Sequence, residues 1–316
     1  MTEVSDQAGA KRVLAARAAL GPVGVHLPTI GALEPFPMPQ QLDAVRRLEE
    51  AGYRAVWVPE GVGGHDGMVE VAAMLGATRD LVFGTSVANM WARPAATLHA
   101  GGAVLAEAFP QRFVLGIGPG YPYQAEALGL RYERPLTLMR EYVEAMTRPA
   151  PMITVAEQAF ARILAANRPR MVELAGEITD GAHPGLIPAR ETAAIRAKLG
   201  PDKLLVVALL VVPVADRPAA FEAAKRLVAG ALSFPGSPYA ANLMRLGYQM
   251  AELTSGADRV VNDVIAYGGP GDIAAKAREH LDAGADHVLI NPALPGYDLG
   301  IAHLEWLAPA LNSIAG

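Results

Sequence analysis

The alternation of short strand-like runs with segments of helical periodicity is the feature that most constrains the fold. The runs lie at 22–27, 54–60, 81–88, 112–118, 161–166, 179–183, 204–213 and 287–292. Between them, apolar residues recur three or four positions apart, as at Leu42, Val45 and Leu48. This pattern is typical of parallel strands joined by crossover helices. Eight units in one chain predict an α/β fold that is a single (β/α)8 TIM barrel, with a doubly wound open sheet as the alternative.

Two connections between predicted strands are long. Segment 119–134, after the fourth strand, is rich in Gly, Pro and Tyr, and segment 216–270, after the seventh, holds further helices around SFPGSPYAANLMRLGY. Insertions on that side of a barrel cover its mouth, so we expect both to shape a substrate pocket. The predicted organisation is an N-terminal extension over 1–20 followed by one barrel domain over 21–316.

Composition and charge exclude several classes of protein. The chain has 316 residues, no Cys, and 27 Lys+Arg against 32 Asp+Glu, which gives a net charge of −5. The lack of Cys excludes disulfides, thiolate nucleophiles and Cys-ligated metals. The acidic balance argues against a nucleic-acid partner. The longest strongly apolar run, 204–212, is too short for a membrane span, and no signal-peptide pattern is present. We therefore expect a cytoplasmic protein without a membrane partner.

The predicted strand ends lack the residues of several common catalytic groups. No Lys falls at the predicted barrel mouth, which disfavours Schiff-base chemistry. The His residues form neither a His-x-His pair nor a His-Glu-x-x-His motif, so we expect no metal site. His26 and His183 end strands, and a core or orienting role is the alternative for both. Gly-x-Ser-x-Gly is also absent from the sequence. After these exclusions, the chemistry that the sequence still allows at the strand ends is that of a bound reactive cofactor.

One segment that favours cofactor binding is Gly-Ile-Gly-Pro-Gly at 116–120. At a strand end, missing side chains allow a ligand to approach the backbone closely. The segment does not fit the Rossmann pattern, because Tyr121 stands where that pattern requires its third Gly. A glycine-rich turn without a ligand is the alternative.

A second segment, 164–171, runs from a strand directly into a helix. Asn167 or Arg168 falls near the helix cap and Pro169 in the first turn. Free N–H groups at a helix start, together with Arg168 and Arg170, would make a phosphate site. An ordinary capped helix with solvated arginines is the alternative.

At these residues the chain resembles the luciferase-like flavin and deazaflavin family, and more narrowly its F420-dependent oxidoreductase branch. The matching pieces, spread from about residue 20 to 310, are LEEAGYRAVWVPE, ATRDLVFGTSVANMWARPAATLHA, QRFVLGIGPG, ILAANRPRMVELAGEITDGAHP and GGPGDIAAKAREHLDAGADHVLINP. The resemblance implies a TIM-barrel oxidoreductase that binds coenzyme F420, with FMN as the alternative cofactor.

The resemblance also implies where the cofactor binds. Its ring would lie across the strand ends, in front of a third-strand bulge that in this branch contains a non-prolyl cis peptide, here near Ser86–Val87. The glycines would contact its tail, and backbone N–H groups would face its phosphate. Relatives often have Gly at the position of Arg168, where a positive φ would make Arg costly. The implied cofactor residues are Ser86, Val87, Asn89, Gly116, Gly118, Gly120, Ala165, Ala166, Asn167 and Arg168.

Hydride transfer needs a proton partner within hydrogen-bond reach. His26 and Glu60, which end the first two strands, are the predicted catalytic residues together with Tyr121. The alternative for Glu60 is an N–H acceptor that orders its own loop. The predicted substrate pocket contains His65, Trp91 and Tyr123, and packing is the alternative for Trp91.

The predicted function is F420-dependent transfer of a hydride between the deazaflavin and a small organic substrate. An FMN-dependent monooxygenase and a degenerate cofactor-binding barrel without turnover are the alternatives. Relatives that oxidise sugar phosphates have a His after the second strand and a Glu after the glycine segment. This chain has Gly61 and Tyr121 there, which disfavours that activity. Because barrels of this family often pair through outer helices, a homodimer is expected.

Overall fold

The computed structural model describes residues 3–28, 36–149, 152, 154–233, 237–293 and 296–314. Residues 1–2 of the predicted extension and 234–236 of the predicted second insertion lie outside the described residues. The strands are β1 (Val23–His26), β2 (Ala55–Val58), β3 (Val82–Thr85), β4 (Ala88–Asn89), β5 (Phe113–Gly118), β6 (Ala161–Ala165), β7 (Gly181–His183), β8 (Leu204–Pro213), β9 (Ile265–Gly268) and β10 (His287–Pro292). The helices are α1 (Glu3–Leu20), α2 (Met38–Glu50), α3 (Gly67–Ala77), α4 (Ala95–Ala108), α5 (Pro122–Ala127), α6 (Pro135–Met146), α7 (Pro169–Ile178), α8 (Ala189–Leu199), α9 (Arg217–Leu232), α10 (Pro238–Arg245), α11 (Met250–Ser255), α12 (Asp258–Val264), α13 (Pro270–Asp282) and α14 (Tyr297–Asn312).

Eight of the strands close into a barrel. Their order is β1, β2, β3, β5, β6, β7, β8 and β10, and β10 pairs with both β8 and β1 to complete the circle. Each of these pairs is parallel, as the helical crossovers between strands require. The predicted (β/α)8 barrel is therefore confirmed, and each predicted strand corresponds to one strand of the barrel.

Two short strands extend the barrel on the side where the strands end. β4 follows a break after β3 and pairs with the last residues of β5, Ile117 and Gly118. The peptide bond in that break, Ser86–Val87, is cis, as the resemblance implied. β9 pairs with the second half of β8, at Leu210 to Pro213. The carboxyl end of the barrel is thus the more elaborate one.

The barrel strands are buried on both faces, which accounts for their nearly continuous apolar sequences. In β2, Trp57 faces the barrel interior with Val206 and Leu289, whereas Val56 belongs to the layer between strands and helices. The interior cluster continues into α1 through Val13, Ala16 and Leu20. Helix α1 therefore packs against the interior core, and the proposed division of the chain at residue 20 stays a prediction.

Two connections carry several helices each. Helices α5 and α6 lie between β5 and β6, and α9 to α13 lie between β8 and β10. Of these, α9 to α12 surround a second apolar cluster that includes Leu243 and Val261. Their interpretation as insertions stays a prediction. Across the described ranges, no helix is both long and apolar enough to cross a membrane.

Candidate active site

A cavity of about 1280 Å³ opens at the carboxyl ends of the barrel strands. Its lining contains most of the residues selected from the sequence, although their roles stay predictions. These are His26, Glu60, His65, Ser86, Val87, Asn89, Gly118, Gly120, Tyr121, Tyr123, Ala165, Ala166, Asn167 and Arg168. Gly116 and Trp91 are not among the described lining residues. The parallel register brings side chains from distant segments of sequence to one end of the barrel.

The floor of the cavity contains a hydrogen-bonded pair of side chains from β7 and the bulge. His183 donates from Nδ1 to the carbonyl of Val206 at 2.9 Å, which leaves Nε2 as the acceptor for the hydroxyl of Ser86, also at 2.9 Å. Burial lowers the pKa of His183 to about 4, so its imidazole is neutral at pH 7. His183 also stacks on Trp57. Its position fits an orienting role, in which it fixes the Ser86 hydroxyl.

Close packing explains the three glycines of the 116–120 segment. A Cβ atom on Gly116 would overlap the carbonyl oxygen of Thr85, and one on Gly118 would lie 2.6 Å from Val87 Cγ2. Gly120 has a φ of +58°, and a Cβ there would meet the side chains of Asn89 and Gln124. The first two glycines thus make room for the bulge. Gly118 and Gly120 also leave their backbone open to the cavity.

Replacing Gly116 with Ala is expected to lower the free energy of unfolding by about 1–3 kcal/mol, because the new methyl group must displace backbone of β3. Urea denaturation at pH 7 measures the change. Gly230→Ala in α9 is the matched control, since a Cβ there meets nothing within 4 Å and should stabilise the helix by about 0.5–1 kcal/mol. Equal stability of Gly116→Ala and the unsubstituted protein would contradict the packing explanation.

Glu60 forms a buried ion pair with Arg93 at the edge of the cavity. Arg93 donates to both carboxylate oxygens, at 3.1 Å to Oε2 and in a shorter contact to Oε1. The backbone N–H of Gly67 donates to Oε1 at 3.0 Å and that of Asn89 to Oε2 at 2.7 Å. These four hydrogen bonds join the loop after β2 to the start of α3 and to β4. The geometry favours the loop-ordering alternative over a proton-transfer role for Glu60.

His26 lies on the cavity floor at the end of β1 and is 4% exposed. Its Nδ1 atom is 2.7 Å from the carbonyl oxygen of Leu27. Burial lowers the pKa of His26 below its usual value, and the carbonyls of Leu27 and Ser86 oppose that shift. A neutral imidazole at this position could accept a proton or a hydrogen bond from a ligand.

His65 belongs to a polar cluster that the sequence reasoning found only in part. Its Nδ1 atom lies 2.7 Å from Glu70 Oε1, and Gln41 Nε2 donates to the same oxygen at 2.9 Å. Glu70 is 8% exposed and lines the cavity with His65 and Gln41. A carboxylate held this way fixes the orientation of an imidazole. The cluster is therefore a candidate for proton transfer.

A sequence signal for the two missed members of this cluster does exist. Glu70 lies three residues after Gly67 and four before Met74, both buried, and so occupies the inner face of α3. Gln41 shares the buried face of α2 with Val45 and Leu48. A polar residue on an apolar helical stripe is the pattern that would have indicated both.

Aromatic residues form one wall of the cavity. The rings of Tyr121 and Tyr123 are nearly parallel, at 10° and 5.6 Å between centroids. Burial raises the pKa of Tyr121 above its usual range, and the hydrogen-bonded hydroxyl of Tyr239 adds to the shift. Trp91 lies behind this wall, where its Nε1 donates to the carbonyl of Pro119 at 2.7 Å and its ring is tilted against Tyr132. Tyr132 and Tyr239 also line the cavity; neither was singled out, although both lie in the two long connections expected to shape a pocket.

The start of α7 offers fewer main-chain donors than the sequence suggested. Ala166 N–H donates to the carbonyl of His183, Pro169 has no N–H, and Met171 N–H donates to the carbonyl of Arg168. Asn167 uses its side-chain oxygen to accept from Gly185 N–H at 2.8 Å. An anion here would meet the guanidinium groups of the lining residues Arg168 and Arg170 beside the remaining main-chain N–H groups at the helix start.

Arg168 adopts an extended conformation with φ −103° as the N-cap of α7. The strain that a positive φ would impose on this residue is therefore absent. Arg168 and Arg170 are both exposed at the cavity, and neither forms a salt bridge with a carboxylate among the described residues. Both remain available to an anionic ligand.

The fold and the cavity together define a (β/α)8-barrel protein with a large ligand site at the carboxyl ends of its strands. A sequence profile of the luciferase-like monooxygenase family matches residues 19–287. The chain belongs to this family, and the resemblance identified from the sequence is confirmed.

Curated proteins with sequences similar to this chain include 5,10-methylenetetrahydromethanopterin reductases. The 5,10-methylenetetrahydromethanopterin reductase of Methanolobus tindarius is 29% identical in an alignment of 177 residues that covers 49% of this chain and 54% of the relative. The chain thus spans about half the length of the curated relatives it matches.

Solved structures share the fold over nearly the whole chain. The coenzyme F420-dependent tetrahydromethanopterin reductase of Methanopyrus kandleri has a TM-score of 0.74 at 18% identity and covers 93% of this chain and 100% of its own. The oxygenating constituent of 3,6-diketocamphane monooxygenase from Pseudomonas putida, solved with FMN, has a TM-score of 0.62 at 15% identity and covers 92% and 97%. At these identities the similarity establishes the fold alone.

Proposed function

We propose that this protein is an F420-dependent oxidoreductase that transfers a hydride between the deazaflavin and a small organic substrate. The observation that carries the proposal is the cavity at the strand ends, with the Ser86–Val87 bulge and the open backbone of Gly118 and Gly120 on its floor. The similarity to methylenetetrahydromethanopterin reductases and to an F420-dependent solved structure supports this choice.

The residues at the cavity fit a phosphorylated tricyclic cofactor. Small residues, Ala165 and Ala166, line the wall between the floor and the start of α7, where Arg168 and Arg170 provide two unshared positive charges. Gly118 and Gly120 would permit a planar ring to contact the strand ends. When bound, F420 supplies the hydride chemistry, while the protein orients the ring and the substrate and excludes water.

Titration of the purified protein with F420, followed by fluorescence, tests the proposal. Binding in the micromolar range or tighter is expected, with weaker binding of FMN. The second candidate is an FMN-dependent monooxygenase, which the FMN-bound structural neighbour favours. Tight FMN binding with O2 consumption by the reduced complex would replace the first candidate with the second. Binding of neither cofactor would favour a barrel without turnover.

Replacing both Arg168 and Arg170 with Ala is expected to weaken F420 binding about tenfold, because it removes the two guanidinium charges that would attract a phosphate to the start of α7. The dissociation constant at two salt concentrations measures the effect, which should shrink at high salt. Arg278→Ala, an exposed change on the outer helix α13, is the control. An unchanged affinity in the double variant would show that the phosphate binds elsewhere.

We infer that His65, held by Glu70, is the proton partner of the hydride step. Its imidazole is half-buried at the cavity and hydrogen-bonded to a buried carboxylate, whereas the carboxylate of Glu60 is fully engaged. His26 and Tyr121 are the other proposed proton-transfer groups on this cavity.

The variant His65→Gln is expected to lower kcat about 100-fold with little change in KM. Glu70→Gln should lower kcat by less, because the imidazole keeps a hydrogen-bonding neighbour but loses the carboxylate that orients it. The readout is F420-linked turnover in variants that retain wild-type F420 affinity. If His65→Gln has the same kcat as the unsubstituted protein, His65 is not the proton partner.

A further inference from the structure

A group of four tyrosines on the cavity, here called the tyrosine wall, has no part in the proposed cofactor site. It comprises Tyr121, Tyr123, Tyr132 and Tyr239. Three of them come from the connection between β5 and β6, and Tyr239 comes from α10. The chain thus brings aromatic rings from two separate segments to one side of the barrel mouth.

Contacts among the rings of this wall and with Trp91 hold the rings in place. Tyr121 lies parallel to Tyr123, and its hydroxyl is hydrogen-bonded to that of Tyr239. Tyr132 is tilted against Trp91, with 6.2 Å between centroids. Trp91 is itself fixed by hydrogen bonds to Pro119 and Asn89. A preorganised aromatic surface loses little side-chain freedom when a ligand stacks on it.

The wall is electrically neutral and open. Burial raises the pKa values of Tyr121 and Tyr132, so both phenols stay protonated at neutral pH. Tyr123 is 62% exposed, which is unusual for an aromatic residue that serves only to fill a core. Neutral aromatic faces attract flat π systems in offset stacks.

The cavity is also larger than a single ligand needs. Its volume of about 1280 Å³ exceeds the roughly 300–1,000 Å³ of most small-molecule pockets. A cofactor on the strand ends would leave space beside the tyrosine wall. Since hydride transfer requires the substrate to lie next to the cofactor ring, that space is the substrate compartment.

We propose that the tyrosine wall binds a planar, conjugated ring of the substrate by stacking. The inference rests on the proposed function, because it places the substrate beside the cofactor. The substrate would then be a flat, unsaturated ring compound. Saturated alicyclic or open-chain compounds of the same size would bind more weakly to the wall.

Calorimetric titration with a matched pair of probes tests the proposal. The probes are 2-naphthoate and decahydronaphthalene-2-carboxylate, which share a carboxylate and a carbon skeleton but differ in planarity. The F420-loaded protein is expected to bind the planar probe at least tenfold more tightly. Tyr121→Leu should reduce that preference to less than threefold, whereas Tyr121→Phe, which retains the ring, should preserve it.

Tyr267→Leu is the control variant, because Tyr267 contacts Phe221 and is not among the described lining residues. It should retain the full preference. Equal binding of the two probes, binding of neither, or a preference that survives Tyr121→Leu would overturn the proposal. The titrations are repeated on unloaded protein. Failure of F420 to bind refutes the proposed function, whereas F420 binding without a preference between the probes refutes the substrate class alone.

Discussion

Lowering the pH from 7 to 4 is expected to reduce the free energy of unfolding by several kcal/mol, because histidines are buried in neutral form and three of them have a pKa far below the usual value. Burial lowers the pKa values of His183, His280 and His287 to about 4. His287 accepts a hydrogen bond from Trp57 at 3.1 Å and donates to the carbonyl of Gly21 at 2.7 Å. His280 is fully buried beside Thr192. Protonation would place a positive charge in each of these sites.

The direction of this change in the free energy of unfolding with pH follows from proton linkage. An unfolded histidine binds a proton near its ordinary pKa of 6.5, whereas these three bind one only near pH 4 in the folded protein. Below 6.5 the unfolded state therefore holds more protons, and stability is lost as the pH falls through the interval from 6.5 to 4. Each histidine contributes up to about 3 kcal/mol to this loss.

Urea denaturation at pH 7, 6, 5 and 4 measures the effect. His287→Gln retains hydrogen-bonding groups without a titrating ring, so it should show a shallower decline between pH 6.5 and 4 than the unsubstituted protein. His303→Gln is the control, because His303 is partly exposed on α14 and burial lowers its pKa less than it lowers those of the three buried rings. This variant should decline almost as steeply as the unsubstituted protein. A stability that is constant between pH 7 and 4 would rule out neutral burial of the three rings.

Replacing Glu60 with Gln is expected to cost about 3–5 kcal/mol, because it leaves the buried guanidinium of Arg93 without its bidentate partner. The side chains of Glu60 and Arg93 are only 2% and 10% exposed. Asp66 contacts Arg93 at 2.7 Å but is half exposed, so it compensates only in part. The measurement is the denaturation midpoint in urea at pH 7.

The matched control is Glu133→Gln, which removes an exposed ion pair with Arg131 at 3.8 Å and should change stability by less than about 0.5 kcal/mol. The same experiment separates the two interpretations of Glu60. A loop-ordering carboxylate predicts lost stability together with weaker F420 binding, since Glu60 holds Asn89 at the cavity. Full stability with lost turnover would instead assign Glu60 to catalysis.

The fold was accessible from the sequence because its determinants are local. The strand runs indicate the eight barrel strands without long-range information. Prolines at or beside the starts of six helices do the same for those helices; they are the prolines at 39, 94, 135, 169, 188 and 218. The resemblance also gave the correct position of the cis peptide at Ser86–Val87.

The sequence was less informative about what each site residue contacts. The glycines at 116 and 118 suggested a ligand approaching the backbone, and the structure adds a second reason for both, since they make room for the adjacent bulge. Glu60 suggested a catalytic carboxylate; its four hydrogen bonds favour the loop-ordering alternative, and its role stays a prediction. A strand-end position shows that a side chain reaches the cavity but not which neighbours use its polar atoms.

By itself, the sequence determined the order of strands and helices, and hence the barrel and the end at which its cavity opens. The periodicity of apolar residues and the helix-start signals act over a few residues, so they can be read from the chain directly. Only the tertiary structure decided the partners: Glu70 with Gln41, Glu60 with Arg93, and the tyrosines of two connections on one wall. These contacts join residues far apart in the chain, and they depend on the register with which the barrel closes, which no local pattern encodes.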